Sequence, residues 1–283
     1  MSDNLTVINT NDYAAMAKMM GMAYDTGDSK SSLARLRVNK KPLFAETEVN
    51  GKMVKVEVQS GGFALENGTT VFAEEAVIRP FVQRFMYQKY VQEDNTYVKT
   101  LMSDNANMDL KDTNGGFNCG KLSGYVEDFN ALSKAEKDLL RSIQRTRVIY
   151  GTVTMEKSVT EDGDAHPIEN VPFVWDVSTK EGFKLMGGIF SKLNKMKRLP
   201  MLHNISLKTE SRDLPTGNSY FVPIPELEMQ SSIELSDDDQ GLFSSFMEAI
   251  ETHNEYVHSE WNKHNMPEEV DGFVDVVDVE NAT

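Results

Sequence analysis

The chain has 283 residues, of which 40% are hydrophobic, a formal net charge of −15 and a single cysteine, Cys119. This composition is sufficient for a buried core, excludes an internal disulfide and argues against a cysteine-based zinc site. We expect no signal peptide, because residues 1–28 lack a basic region followed by an apolar run, and no membrane span, because no apolar run reaches about 18 residues. These features predict a protein of the reducing cytoplasm.

The acidic residues are concentrated at the C-terminal end of the chain. Residues 236–283 carry thirteen acidic residues and one basic residue, whereas residues 1–235 carry 31 acidic and 28 basic residues. Such asymmetry is typical of an acidic tail attached to a binding domain. We predict a polar N-terminal segment over residues 1–30, a folded domain over 31–235, an amphipathic helix over 236–263 and a flexible acidic tail over 264–283.

The first part of the chain is predicted to form a short helix over residues 12–22 and then a series of strands. Residues 33–38 alternate apolar and basic side chains, which predicts a half-exposed strand with Arg35 and Arg37 on one face. Residues 44–58 and 63–72 also alternate and are broken by Asn-Gly and Gly-Gly pairs, which indicates hairpins. Arg35 and Arg37 are candidate phosphate contacts, and a solvated strand face is the alternative.

The most distinctive stretch covers residues 77–102 and mixes aromatic with basic residues. Because strand side chains alternate, two strands joined at residues 93–95 would place five of these side chains on one face, namely Arg79, Phe81, Phe85, Tyr87 and Lys89. Such a face can stack bases and hold phosphates. The alternatives are a plain hydrophobic core and, for residues 77–91, a helix, since Pro80 suits an edge strand or a helix start.

Residues 109–124 contain four glycines and form a predicted loop that carries Lys111 and Lys121. The loop lacks the spacing of a P-loop, so we interpret it as a nucleic-acid contact and not as a nucleotide-hydrolysis site. Ser133 and Glu136 match a capping box and predict a helix through about residue 144, ending in Arg141 and Arg145. Strands at 147–155 and 171–177, a helix with a basic end at 180–198 and a hairpin over 204–224 complete the domain.

The last predicted helix begins at Ser236, with three aspartates in its first turn, as the helix dipole favours. Apolar residues recur along it at helical spacing, so this stripe must dock on the domain or on a partner. After Pro267 apolar and acidic residues alternate. We predict that this tail is mobile and binds a partner, such as a replication protein, through Asp271, Phe273 and Asp275.

We predict that the chain is not an enzyme and needs no metal or cofactor. His253 and His258 are five residues apart, which does not suit metal binding on one helix face, and the sequence contains neither H-E-x-x-H nor G-x-S-x-G. Cys119 has no neighbouring histidine to activate it as a nucleophile. A two-metal nuclease built from dispersed carboxylates remains the catalytic alternative.

Predicted strands outnumber predicted helices, and a helix lies between β segments. This order predicts a mainly β fold with α insertions, organised as an OB-like barrel that is followed by the C-terminal amphipathic helix and the acidic tail. OB barrels bind single strands through stacking and electrostatic contacts.

Four segments, at residues 31–42, 71–90, 109–126 and 147–155, resemble a family of uncharacterised phage proteins, and the resemblance covers roughly residues 31–225. The overall layout also resembles the single-stranded DNA-binding proteins of phage replication, which are OB folds with acidic C-terminal tails. This second resemblance implies a role in replication or recombination in the host cytoplasm. The chain departs from those proteins at its end, because their tails commonly end in an aromatic residue and this one ends in Thr283, with Phe273 ten positions earlier.

The resulting hypothesis is a single-stranded DNA-binding protein whose aromatic residues stack bases and whose basic residues hold phosphates. The predicted interface comprises Arg35, Arg37, Arg79, Phe81, Arg84, Phe85, Tyr87, Lys89, Tyr97, Lys99, Lys111 and Lys121. The alternative is a non-enzymatic phage structural or host-interaction protein that acts through its acidic C-terminal region. The sequence leaves open the preference for DNA over RNA, the partner of the tail and the oligomeric state, a homodimer included.

Overall fold

The computed structural model of the chain describes residues 33–49, 51–105, 107–121, 126, 128–214 and 217–265. The predicted helix at 12–22 and the acidic tail, with Asp271, Phe273 and Asp275, lie outside these residues. The predictions made for those segments therefore stay predictions.

The described residues form twelve strands and three α-helices. The strands are β1 (Ala34–Val38), β2 (Leu43–Val49), β3 (Lys52–Val58), β4 (Phe63–Asn67), β5 (Thr69–Ala73), β6 (Ala76–Val91), β7 (Thr96–Lys99), β8 (Ile143–Met155), β9 (Val159–Thr160), β10 (Ile168–Val177), β11 (Ile205–Asp213) and β12 (Ser219–Leu227). The helices are α1 (Lys134–Ser142), α2 (Lys180–Lys195) and α3 (Asp237–Asn265). The predicted mainly β fold with α insertions is confirmed.

Most strands belong to one large mixed sheet. Its order is β12-β11-β6-β8-β10-β1-β4-β5-β9, with β7 paired to the far end of β6, while β2 and β3 form a separate hairpin. The pairing of β1 with β10 is parallel and the other pairings are antiparallel. The strand pairing follows an open path and does not close into a barrel.

The main core lies on one face of this sheet, beneath α2. Alternate side chains of the central strands point into it, as the period of two requires, and the apolar stripe of α2 supplies Met186 and Phe190. Its fully buried members include Leu36, Phe63, Ile78, Ile149, Val153 and Phe173. Burying one such side chain contributes about 1.5–3 kcal/mol, so this face anchors the strands from which the rest of the molecule extends.

Strand β6 is the longest element of the sheet, and the helix alternative for residues 77–91 is wrong. It pairs with β8 from Val77 to Lys89, while β11 and β7 occupy parts of its other edge. Pro80 fits this strand because the pairing is irregular there, and a bulge tolerates a residue without an N–H. Gly151 of β8 pairs with Pro80, and a β-carbon at this glycine would lie 2.9 Å from the Pro80 Cα.

Helix α3 docks on the domain through the predicted apolar stripe. Phe246, Ile250 and Val257 are buried, and the Trp261 indole N–H donates to the Gly116 carbonyl at 3.1 Å. The Asn254 amide accepts from the Met102 N–H at 2.7 Å and donates to the Met102 carbonyl at 3.1 Å. These contacts are made along most of the helix, which is therefore part of the folded domain.

Replacing Gly151 by alanine is expected to destabilise the protein by about 3 kcal/mol, because the new methyl group would meet the backbone of Arg79 and Pro80. Gly188→Ala is the matched control. Gly188 lies in α2 with open space at its β-carbon position, so alanine there should stabilise the helix by up to about 1 kcal/mol. Urea unfolding measures both changes, and equal effects would contradict the close approach of β6 and β8.

Candidate nucleic-acid interface

The bulge in β6 divides the predicted aromatic and basic face between the two sides of the sheet. Arg79 pairs with Thr152 and Phe85 pairs with Arg147. Thr152 and Arg147 are an odd number of positions apart in β8 and lie on opposite faces, and directly paired residues share a face. Arg79 and Phe85 therefore point to opposite sides, and the prediction of a single face is wrong.

Arg79 and Phe81 lie on the side that α3 covers. The Arg79 guanidinium makes two parallel hydrogen bonds to the Asp239 carboxylate, at 2.8 and 2.9 Å, and its Nε donates to the Met201 carbonyl at 2.7 Å. The Phe81 ring packs edge-on against Phe246 of α3, with centroids 5.6 Å apart. Both side chains therefore contact α3, through Asp239 and Phe246.

Asp239 joins this ion pair to the start of α3. Its N–H and carboxylate exchange hydrogen bonds with the side chain and backbone N–H of Ser236, which forms a capping box. Burial alone would raise the pKa of Asp239, but the hydrogen bonds from Arg79 and from the Ser236 backbone lower it below its ordinary value. The carboxylate is thus held ionised in a largely buried position.

The opposite side of the β6–β8 ribbon carries the rest of the aromatic and basic stretch. We define the ribbon face as Phe85, Tyr87 and Lys89 of β6, Arg145 and Arg147 of β8, and Phe183 of α2. The Phe85 and Phe183 rings lie 5.9 Å apart between centroids. The guanidinium of Arg145 lies 4.9 Å from the Phe183 centroid, and that of Arg147 lies 4.8 Å from Phe85 and 4.6 Å from Phe183.

Arg147 is a buried cation without a carboxylate partner among the described residues. Its Nη1 donates to the Gln83 side chain, while its Nε has no hydrogen-bond partner there. Burial and the nearby charge of Arg145 lower the pKa of Arg147 to about 10, so the side chain still carries its charge at neutral pH. Gly187 of α2 permits this arrangement, because a β-carbon there would lie 2.6 Å from the Arg147 Nη2.

A cavity of about 600 Å³ adjoins the ribbon face beside Tyr87. Tyr87, Phe129 and Arg145 line it together with Lys121, whose ammonium lies 5.6 Å from the Tyr87 ring centroid. The size falls within the range of small-ligand pockets, and the lining combines aromatic walls with cations. One nucleotide of a strand would fit such a space.

The tip of the β6–β7 hairpin carries two exposed aromatic rings, which alternation places on the other side of β6 from Tyr87 and Lys89. Tyr90 and Tyr97 are 44% and 50% exposed, and their ring centroids lie 5.1 Å apart. The Lys99 ammonium lies 5.9 Å from the Tyr97 centroid. Lys89 and Tyr97 both line a cavity of about 550 Å³ at the edge of this hairpin, together with Asp94, Asp112 and Glu260.

The remaining predicted residues lie elsewhere. Arg35 pairs with Asp176 at 2.9 Å, and Arg37 pairs with Glu66. The Arg84 guanidinium donates to the Gln83 carbonyl and to the Met247 sulfur of α3. The Lys111 ammonium lies 3.8 Å from the Trp261 ring centroid of α3. The structure does not bring these four cations to the ribbon face.

Sequence reasoning did not place Arg145, Arg147 and Phe183 on the aromatic and basic face. Arg145 was predicted at the end of a helix, but α1 ends at Ser142 and β8 begins at Ile143, so Arg145 lies in the strand. The spacing of Arg145 and Arg147 repeats the period of two found at Arg35 and Arg37, and this pattern was the available indication. Phe183 lies in the helix predicted over residues 180–198, and nothing in its local sequence pairs it with a strand.

The described residues offer no cluster of three or more histidine, cysteine, aspartate or glutamate side chains that would hold a metal ion.

Cys119 is buried, and burial together with the charge of Asp112 raises its pKa to about 12. The Asp112 carboxylate accepts hydrogen bonds from the N–H groups of Asn114, Gly116 and Cys119, and so it holds the glycine-rich loop in shape. In the part of the chain that the structure describes, no helix has both the length and the apolar character of a membrane span.

Comparisons of this chain with protein-family models, with curated proteins and with solved structures find no match.

Replacing Asp239 by asparagine is expected to destabilise the protein by about 3–5 kcal/mol, because the largely buried Arg79 guanidinium would lose its counter-charge. Asp238→Asn removes an exposed carboxylate from the same helical turn and should cost less than about 1 kcal/mol. Urea unfolding at pH 7 compares the two variants. Similar losses would show that the ion pair does not hold α3.

The difference in stability between the wild type and the Asp239→Asn variant should depend on pH. Because the folded-state pKa of Asp239 is lowered, the stabilisation is fully present above its ordinary pKa of 3.8 and is lost as the pH falls through the lower folded-state value. Unfolding free energies measured between pH 7 and pH 2 test this. A difference that stays constant down to pH 2 would contradict an ionised Asp239 as its source.

Proposed function

We propose that this chain is a non-catalytic single-stranded DNA-binding protein of phage replication or recombination, and that the strand runs along the ribbon face. The observation that carries the proposal is the convergence of Phe85, Lys89 and Arg145 on one side of the β6–β8 ribbon, with Tyr87 and Arg147 buried beneath them. Aromatic rings and cations in one groove suit a single strand, since every base has a π-face and every nucleotide a phosphate.

The aromatic part of the proposed interface consists of Phe85 and Phe183 on the ribbon face and of Tyr90 and Tyr97 on the other side of β6, at the hairpin tip around which the strand would pass. The first two rings are half-buried and the last two are exposed. Base stacking on such rings contributes about 1–3 kcal/mol per base and depends little on sequence. Phe81 leaves the proposed interface because its ring packs on α3.

The cationic part consists of Lys89, Lys121 and Arg145, which line the two cavities, and of Lys99, whose ammonium lies beside the Tyr97 ring. The buried guanidinium of Arg147 lies against the rings of Phe85 and Phe183 and adds positive charge beneath these cations. Phosphate contacts by these cations would release counterions from the strand, so the proposed binding is salt-dependent. Arg79 is excluded because Asp239 occupies its donors.

We also propose that the strands form an OB-like domain in which the sheet bends towards closure. The Thr209 hydroxyl of β11 donates to the Gly61 carbonyl in the turn before β4, and Phe221 of β12 packs on the same glycine. These contacts join strands from distant positions in the order of the sheet, as strong curvature requires. A partly open barrel of this kind is common among folds that bind oligonucleotides.

The Phe85→Ala variant is expected to bind a fluorescein-labelled dT oligonucleotide about 5- to 150-fold more weakly, which corresponds to one lost stacking interaction of about 1–3 kcal/mol. Phe44→Ala is the matched control, since Phe44 is 69% exposed on the β2–β3 hairpin and lies outside the ribbon face. Fluorescence anisotropy measures binding, and circular dichroism checks folding. Unchanged binding by a folded Phe85→Ala variant would remove Phe85 from the interface.

The Arg145→Gln variant should bind the same oligonucleotide more weakly and with a shallower dependence on salt. Loss of one phosphate contact is expected to reduce the slope of log K against log salt by about 0.7. Lys55→Gln removes the same charge from an exposed site on β3 and should leave the slope unchanged. If the full chain is folded and binds no oligonucleotide at low salt, the proposed function is wrong, and the acidic C-terminal region becomes the candidate interaction surface.

A further inference from the structure

The chain leaves α2 through an exposed turn that carries only positive charge. Residues 194–199 are all exposed, and no acidic residue occurs between Gly182 and Thr209. We define the basic turn as Lys195, Met196, Lys197, Arg198 and Leu199. Its three cations make no ion pair with a described residue, so their charge is available to a partner.

Two apolar side chains are exposed within the basic turn. Met196 is 41% exposed and Leu199 is 56% exposed. A phosphate backbone is bound by cations and polar groups, whereas apolar side chains interleaved with cations suit a protein surface that is both apolar and acidic. Lys195 also lies about 18 Å along the helix axis from Phe183, so the basic turn is separate from the ribbon face. These features favour a protein partner over a nucleic acid.

The backbone of the basic turn is fixed by a Schellman motif at the end of α2. The Arg198 N–H donates to the Leu193 carbonyl at 3.0 Å, and the Lys197 N–H donates to the Asn194 carbonyl at 3.0 Å. Lys197 has a φ of +56°, the left-handed conformation that glycine usually supplies at this position. A lysine there lowers the stability of the fold, and residues held in such conformations are concentrated at binding sites.

A groove of opposite charge lies between the β2–β3 hairpin and the large sheet. Its volume is about 460 Å³, and Val56, Val77 and Val159 are half-buried in its lining. The lining also contains Lys157 and four acidic residues, namely Glu57, Glu74, Glu75 and Glu156. We call this space the acidic groove.

Two acidic residues of the acidic groove are available to a partner. Glu75 is paired with Lys208 at 2.9 Å, and the Glu57 carboxylate accepts a hydrogen bond from Gln59. Glu74 and Glu156 are exposed and make no ion pair with a described residue. The groove therefore offers apolar side chains beside free carboxylates, the complement of the basic turn.

We propose that the basic turn of one molecule docks in the acidic groove of a second copy of this chain. Met196 and Leu199 contact the valines of the groove, while Lys197 and Arg198 face its free carboxylates. Because the two surfaces differ, the contact is heterologous, and repeated contacts extend into an open array or close into a ring. One turn buries a small area, so the association is weak. The contact needs no DNA, and its test is therefore independent of the proposed function.

Sedimentation velocity of the full chain without DNA tests the contact. Between about 10 and 500 µM protein at low salt, the sedimentation coefficient of the wild type is expected to rise with concentration, and about 0.5 M salt should reduce this rise. A wild type that stays monomeric over this range would overturn the proposal.

Charge reversal on each surface identifies the two sides of the contact. The Lys197→Glu/Arg198→Glu variant reverses the turn, and the Glu74→Lys/Glu156→Lys variant reverses the groove. Each variant alone is expected to associate at least about tenfold more weakly than the wild type, because like charges then face each other. An equal mixture of the two should associate as the wild type does, because each reversed surface then meets an oppositely charged one. Both variants keep a net negative charge, so general attraction cannot produce this recovery. A mixture that does not recover would overturn the proposal.

The Lys180→Glu/Lys184→Glu variant is the matched control. It changes the net charge by the same amount at exposed positions in the first part of α2 and should leave self-association unchanged. Circular dichroism checks that every variant is folded. Equal weakening by the control and by the reversed turn would overturn the contact. The same holds if the reversed turn self-associates normally and only binds a dT oligonucleotide more weakly, since the basic turn would then be a DNA contact.

Discussion

The close pairing of β6 with β8 is the constraint on which the rest of the structure depends. Pro80 has no N–H to donate, and its ring needs space, so the partner strand must present a residue without a side chain at that position. Gly151 meets this need, and the strands pair on both sides of the irregularity. Because the bulge changes which face each following residue occupies, it decides that Arg79 faces α3 while Phe85 faces α2. A single backbone irregularity thus separates the residues that hold the C-terminal helix from those that form the ribbon face.

The two faces handle positive charge in different ways. Arg79 is neutralised by two hydrogen bonds to Asp239, and such a pair is stable in a largely buried place because each charge satisfies the other. Arg147 is more deeply buried than most arginines, and its partners among the described residues are aromatic faces and Gln83. Cation–π contacts contribute about 0.5–2 kcal/mol each, which offsets part of the cost of removing the charge from water. Because no described carboxylate pairs with the Arg147 guanidinium, its positive charge contributes to the electrostatic potential at the ribbon face, where phosphates are proposed to bind.

The sequence was informative where local chemistry decides the structure and less so where distant segments meet. Alternation of apolar and polar residues predicted the strands at 33–38 and 147–155, and Ser236 with the following aspartates predicted the start of α3. The bulge could not be placed, because Pro80 is compatible with an edge strand, a helix start or a bulge, and the choice depends on Gly151 about seventy positions later. The roles of Arg145 and Phe183 depend on the packing of α2 against the ribbon, which no local pattern encodes. Arg79 was misplaced for the same reason, since its partner Asp239 is 160 positions away.

The position of α3 bears on the two interpretations of the acidic C-terminal end. A helix that buries Phe246, Ile250 and Val257, and whose Asp239 engages Arg79, is held as part of the domain and is not free to act as a separate interaction module. The N-terminal acidic residues of α3 therefore add negative charge on the side of the sheet opposite to the ribbon face, while Glu260 near its C-terminal end lines the cavity that Lys89 and Tyr97 share. An anionic strand approaching the molecule would be repelled from the α3 side and attracted to the cations of the ribbon face, because exposed charges act over about 10 Å at moderate salt. The net charge of −15 is consequently compatible with DNA binding, since the arrangement of the charges, and not their sum, determines where a strand can dock.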